Sequence, residues 1–312
     1  MKTVIQSLKA DGLEAVIKLD QRLGGVSRRG YYEKRFAALT RDPSRFVWLA
    51  VSEGGEFAGF VSAHIFEGEF GIEQPVAVLE AIGLAEGKRG RGFGAMLEEA
   101  LTAELRTRNV TRIFSEVSWT RQDLIAFFGR NHYRLSPVTV LEMNTGRSDA
   151  PQFETAQNGS GSPTLARDLV TIRSMKESDL DPIIAIDRKI TGKDRTRYYE
   201  AKLAEVLNES GVRMSLIAEG KDGITGFLMA RVDYGEFGRT ARTAVLDTIG
   251  VSRAFTRRGV GEALLSQLAL NLHSLGVETL QTRVSWNDFP LLAFFDRAGF
   301  IPSQRLLFER QL

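Results

Sequence analysis

Leu79–Gly94, LEAIGLAEGKRGRGFG, decides the reading of this chain, and the chain writes it a second time as Leu246–Gly261, LDTIGVSRAFTRRGVG. Each copy begins with a short run rich in Ile, Leu and Val, the composition of a buried strand. Each ends in Gly-x-Gly (Gly92–Gly94; Gly259–Gly261) and opens into AMLEEALTAEL or EALLSQLALNL, whose apolar spacing is helical. A strand that passes through an Arg- and Gly-rich turn into a helix N-terminus makes an anion site. The N–H groups of the first helical turn have no intrahelical partner, and the helix dipole favours negative charge there. Glycine lets the backbone approach a phosphate closely, and Arg adds permanently charged, bidentate donors. The reading is a pyrophosphate cradle in duplicate. A dinucleotide fold or a plain strand–helix turn also accommodates Gly-x-Gly. The phosphate-loop pattern, however, needs Gly-Lys-Ser/Thr, which neither copy has, and a dinucleotide fingerprint needs three glycines early in a βαβ unit.

Working outward, the whole chain repeats with one offset. Ile5 and Ile172, Gly59 and Gly226, Gly92 and Gly259, Trp119 and Trp286 are each 167 positions apart. Tyr31-Tyr32-Glu33 returns as Tyr198-Tyr199-Glu200, Gly68-Glu69-Phe70-Gly71 as Gly235–Gly238, and Ala126-Phe127-Phe128 as Ala293-Phe294-Phe295. An internal duplication is the simplest account. Thr145–Asp168 between the copies is rich in Gly, Ser, Pro and polar residues and too poor in large aliphatics to bury a core. The expected division is therefore an N-terminal domain at 1–146, a linker at 147–168 and a C-terminal domain at 169–312. Each repeat reads βααβββαβαβ, which is an α/β chain with a mixed sheet and helices on both faces.

Bulk properties narrow the function. The 312 residues suffice for two domains with real cores. A net charge of +2 argues against nucleic acid or an anionic membrane as partner. The absence of cysteine excludes disulfides, thiolate metal sites and a cysteine nucleophile. With no apolar run of spanning length and no secretory h-region, the cytoplasm is the expected compartment.

Arg89-Gly90-Arg91-Gly92-Phe93-Gly94, set between a fourth strand and its helix, resembles the acyl-CoA pyrophosphate loop of the GNAT superfamily of N-acetyltransferases. Thr256-Arg257-Arg258-Gly259-Val260-Gly261 is similar, with Thr where the pattern wants Arg or Gln. The family's aromatic ahead of Gly-Phe appears as Phe295 before Gly299-Phe300, and as Phe128 before His132-Tyr133, where His replaces Gly. The resemblance spans both repeats and implies a tandem duplicated GNAT fold. It further implies that acetyl-CoA, or another acyl-CoA, lies in an opening between the fourth and fifth strands, with no metal required. Backbone near Ile82, Leu84, Ala85 and Ile249, Val251, Ser252 is expected to pair with the pantetheine. Phe128 and Phe295 stand where many members carry the Tyr that protonates the leaving thiolate. A thiol pKa of about 8.5 makes that loss tolerable. The second substrate is expected to be a small-molecule or peptide amine, attacking the thioester directly.

Glu80 and Asp247, acids embedded in the two fourth strands, are the paired candidates for the general base, with structural ion pairing as the competing reading. Glu69 and Glu236 are weaker candidates. His64, His132 and His273 lack metal-ligand spacing. Trp119 and Trp286 are expected to pack. Arg28-Arg29 and Arg195-Thr196-Arg197 read as a solvated helix face. Duplication also allows a non-enzymatic alternative, an acyl-CoA-binding protein in which one or both domains have lost catalysis. It replaces the usual homodimer by a fused pair, so a monomer is expected.

Overall fold

The computed structural model describes residues 2–66, 74–146, 170–200, 202, 214–221, 223–234 and 242–312. The linker read at 147–168 and both GEFG segments, with Glu69 and Glu236, lie outside the described residues.

The first repeat follows the expected order. Strand β1 (Thr3–Ser7) leads to helices α1 (Leu13–Gly24) and α2 (Arg29–Arg41). Strands β2 (Phe46–Glu53), β3 (Glu56–Phe66) and β4 (Val76–Leu84) come next, then α3 (Phe93–Thr107), β5 (Arg112–Ser118) and α4 (Gln122–Arg130). It finishes with β6 (Arg134–Leu135) and β7 (Val138–Asn144). In the second repeat β8 (Thr171–Ser174), α5 (Leu180–Thr191), β9 (Leu216–Gly220), β10 (Gly223–Tyr234) and β11 (Arg242–Val251) precede α6 (Val260–Ser274). Then come β12 (Thr279–Ser285), α7 (Phe289–Arg297), β13 (Ile301–Pro302) and β14 (Arg305–Gln311).

Two seven-stranded sheets result, in the orders β1-β2-β3-β4-β5-β14-β6 and β8-β9-β10-β11-β12-β7-β13. Among the described strands β4–β5 and β11–β12 pair in parallel. The closing strands change places: β14 of the second repeat pairs with β5, and β7 of the first pairs with β12. One compact unit therefore holds Met1–Ser136 with Gln304–Leu312, while the other holds Pro137–Asp233 with Arg242–Ser303. A cut at 146 and 169 follows the repeats but not the sheets. The duplication explains why. Val138–Asn144 and Arg305–Gln311 are equivalent strands, so each fits beside either fifth strand.

Each sheet is covered on both faces. On one face of the first sheet α3 lays down Leu97, Leu101 and Leu105, one helical turn apart and fully buried. On the other, α1 and α2 pack Ile17, Leu19 and Tyr32 against Trp48 and Phe60. In the second unit α6 repeats the stripe with Leu264, Leu268 and Leu272, all fully buried. Each such leucine stabilises its unit by about 1.5–3 kcal/mol.

Candidate acyl-CoA site

β4 and β5 pair only at Val76–Val78 with Arg112–Phe114 and then separate. Ser115 Oγ donates to Leu79 O at 3.1 Å where the strands part. Beyond this point β4 keeps its other edge on β3, with Val61 opposite Ile82 and Gly59 opposite Leu84. Its free edge faces a cleft of about 680 Å³ lined by Ile82, Gly83, Leu84, Gly90, Gly94 and Phe128, among others. The second unit repeats the device. β11 leaves β12 after Val245–Gln281, and Thr282 Oγ1 donates to Leu246 O at 3.0 Å.

The phosphate turn sits where β4 ends. Gly90 and Gly92 adopt left-handed φ of 74° and 85°. The first backbone bond of α3 runs from Met96 N–H to Gly92 O at 3.0 Å, which leaves the N–H groups of Phe93, Gly94 and Ala95 outside the helical ladder. A Cβ on Gly94 would come to 3.0 Å from the Phe127 ring, so a side chain here requires that ring to shift. Arg89 lines the cleft. Arg91 does not: it pairs with Glu53 at 2.6 Å and lies over the Phe93 ring. Lys88 takes the other Glu53 oxygen at 2.6 Å, and its hydrogen bond, followed by that of Arg91, holds the Glu53 carboxyl below its ordinary range. Phe93 is buried in the core. Ala85 gives its N–H to Ala58 O, and Ser252 gives its own to Thr225 O, so those two amides are committed within the fold.

In the second unit Gly259 keeps the left-handed N-cap at φ 77°, and Gly261 would meet Phe294 at 3.1 Å. Ile249 and Val251 lie on the part of β11 beyond its pairing with β12, and Val260 is buried. Here Arg257 takes the left-handed conformation, φ 61°, that Gly90 has in the first unit. Arg258 rests on the Phe255 ring, and Gly220 stands where the first unit has Glu53. These residues fit an acyl-CoA diphosphate in the first unit without strain at a side-chain-bearing position, and in the second with it.

Acids gather on the wall of the first cleft that faces α1 and α2. Glu80 is the extra residue of a bulge in β4, between Leu79 opposite Ala63 and Ala81 opposite Ser62. Its carboxylate is fully buried, lines the cleft and pairs with Arg35 of α2 at 2.9 Å. Asp20 also lines the cleft, in a bidentate pair with Arg28, which in turn donates to Tyr32 Oη at 3.0 Å. Glu116 of β5 pairs with Arg305 of β14 at 2.6 Å. Asp247 pairs with Arg231, and Asp187 with Arg195. Arg28 and Arg195 are thus partners of buried acids rather than a solvated face, and Arg28 also lines the cleft. That function was legible only as the repeated offset of Asp20/Asp187 and Arg28/Arg195. Glu116 and Arg305 carried no repeat signal, because their counterparts are Arg283 and Val138.

Phe128 and Phe295 are both buried, and Phe128 stacks on Phe308 at 5.4 Å while lining the cleft. No tyrosine lines that cleft among the described residues, whose hydroxyls there are Ser115, Ser118 and Thr120. Tyr133 is buried on Glu98, and burial pushes its hydroxyl well above the usual range. Trp119 and Trp286, expected to pack, are 53% and 47% exposed. Among the described residues no cluster of metal-ligating side chains occurs, and no helix is long and apolar enough to cross a membrane.

The chain was compared with known proteins. No curated protein sequence matches it. Among solved structures, a glucosamine N-acetyltransferase region of a fungal multi-domain β-N-acetylglucosaminidase superposes with a TM-score of 0.67 at 16% identity, over 99% of this chain and 38% of that one. A tandem GNAT protein from the clavulanic acid biosynthesis pathway gives 0.64 at 15% identity, over 99% and 98%. A GCN5-related N-acetyltransferase from Sphaerobacter thermophilus gives 0.62 at 16%, over 99% and 95%. The profile of the Acetyltransferase (GNAT) family matches twice, at residues 13–133 and 181–300, once in each repeat. With most of its length covered by those two matches, the chain belongs to the acetyltransferase (GNAT) family as a tandem member.

Proposed function

We propose that the first unit is an acetyl-CoA-dependent N-acetyltransferase acting on a primary amine. The observation that carries the reading is the parting of β4 from β5 beside the N-terminus of α3, which joins an open strand edge to an anion cradle in one cleft. The acetyl-CoA diphosphate lies on the N–H groups around Gly90–Gly94 with Arg89, and the pantetheine amides pair along Ile82–Leu84. The amine nitrogen attacks the thioester carbonyl, the C–S bond breaks, and CoA leaves as the thiolate. An N–H of β4 stabilises the oxyanion.

With an amine pKa near 10, about one acceptor in a thousand is unprotonated at pH 7. A carboxylate that takes one proton from the bound ammonium before attack therefore accelerates the reaction, and the second proton, released as the amide forms, goes to the departing thiolate. Glu80, paired with Arg35 of α2, takes that role. Asp247 occupies the same place in the second unit. A degenerate second unit that retains the fold for acyl-CoA binding or packing alone is favoured there by the strained Arg257 and the missing Glu53 counterpart.

Calorimetric titration of the parent, Gly92→Glu and Gly259→Glu with acetyl-CoA tests this. Each variant places a carboxylate in one cradle. Binding lost with Gly92→Glu supports the reading, and a second site lost with Gly259→Glu extends it to both units. A folded parent that does not bind acetyl-CoA refutes it.

A further inference from the structure

Arg305 is made at the end of the second repeat, yet it acts in the first unit's cleft. In the β14–β5 register it stands opposite Ser118, with Leu307 opposite Glu116. Glu116, Ser118 and Arg305 therefore project from one face of the sheet, the face covered by α1 and α2. Its Nε donates to Glu116 Oε1 at 2.6 Å and its Nη2 to Glu116 O at 2.9 Å, so the guanidinium grips side chain and backbone of one residue. The Glu116 side chain is 1% exposed and lines the cleft. A carboxylate so buried stays ionised only beside a cation. On β4, across the gap left by the parting strands, stands Glu80, whose arginine approaches from α2 and is not part of the cleft wall.

We propose that Glu80 and Glu116 form a two-carboxylate clamp that receives the acceptor amine as its ammonium, and that Arg305 is the positioning residue for Glu116. The clamp rests on the acetyltransferase reading above and sharpens it, because it assigns the acceptor to amines that enter protonated and dock on the β5 side. The exchanged strand then has a chemical role, since the second repeat supplies the group that holds half of the first unit's acceptor site. The second unit lacks the clamp. Position 283 is Arg where the first unit has Glu116, and Val138 stands opposite Ser285 where Arg305 stands opposite Ser118. An arginine at position 283 carries the charge opposite to that of Glu116 and cannot hold an ammonium.

The test uses the full chain, with acetyl-CoA and a panel of spermidine, glucosamine, lysine and dialanine, on the parent, Glu116→Gln, Arg305→Met and Arg305→Lys. Calorimetry with acetyl-CoA comes first, and a parent that does not bind it brings down the acetyltransferase reading itself. Where the parent binds, unchanged acetyl-CoA affinity in the variants shows that their first unit is folded. Glu116→Gln is expected to raise the acceptor KM at least tenfold with the KM for acetyl-CoA unchanged. Arg305→Met moves the acceptor KM the same way, and Arg305→Lys recovers most of the loss, which a purely structural role would not produce. An acceptor KM unmoved in Glu116→Gln, or a parent that binds acetyl-CoA and acetylates none of the four amines, overturns the clamp.

Discussion

The phosphate turn at 87–92 and its copy at 254–259 share left-handed backbone at the equivalent pairs Gly90/Arg257 and Gly92/Gly259 but are held by different means. In the first, Gly87, Gly90 and Gly92 all take positive φ, and Glu53 reaches from the end of β2 to fasten Lys88 and Arg91. In the second, Arg257 is forced into the left-handed region, Thr256 Oγ1 donates to Arg253 O at 3.0 Å, and Arg258 lies on Phe255. A non-glycine residue held in that region costs about 1–2 kcal/mol. The left-handed conformation at this position is therefore imposed by the end of the strand and the start of the helix, whether the residue there is Gly90 or Arg257. The same contrast recurs after α4 and α7, where His132 takes φ 64° in the place that Gly299 fills at 81°.

The largest effects should be equal in the two units. Phe128→Ala and Phe295→Ala each remove a buried ring packed on its own unit's core, against Tyr133 at 5.0 Å and Phe300 at 4.9 Å. Each is expected to cost about 3–5 kcal/mol in urea unfolding. A loss confined to one variant would break the symmetry of the cores on which the comparison rests.

Smaller and opposite in sign are the effects of relieving strain. Arg257→Gly and His132→Gly should each stabilise the protein by about 1 kcal/mol, and Gly299→His should cost about as much. Thermal unfolding of the three variants reads this directly. A destabilised Arg257→Gly would mean that the Arg257 side chain makes contacts worth more than its backbone strain.

The smallest effect separates the turns by pH. Glu53 titrates below its ordinary 4.5 because Lys88 and Arg91 hydrogen-bond its charged form. A depressed carboxyl contributes stability above that ordinary value and loses it as pH falls through the folded value. The first unit should therefore lose stability below about pH 4.5 in the parent, read by urea unfolding, and Glu53→Gln should flatten that dependence. With Gly220 in the equivalent position, the second turn has no such contribution. Equal pH profiles for the parent and Glu53→Gln would show that Glu53 does not fasten the turn.

Much of this molecule was readable from the repeat. Two copies of a strand, a glycine turn and a helix fixed the order of elements, and Glu80 and Asp247 surfaced because an acid in an apolar strand is conspicuous. The strand exchange was not readable. Val138–Asn144 and Arg305–Gln311 carry the same alternation, and nothing in either says which fifth strand it joins. Glu116 and Arg305 stayed hidden for the same reason, since they are 189 positions apart and the duplication does not repeat them. Ion pairing of Glu80 and Asp247 was a reading the sequence offered, but the partners Arg35 and Arg231 were not readable, because they come from α2 and β10.

The exchange also sets a timetable for synthesis. β14 occupies the slot between β5 and β6, so the first sheet has a gap until the whole second repeat has been translated. At roughly 5–20 residues per second that interval lasts about ten to thirty seconds. For that time the outer edge of β5 offers unpaired N–H and C=O groups to any neighbouring nascent chain. The newly made β7, which finally joins β12, is the nearest strand of matching pattern. A nascent chain arrested before β12 thus has a wrong partner at hand for the open edge of β5, and completing the native sheets requires that edge to be free when β14 arrives.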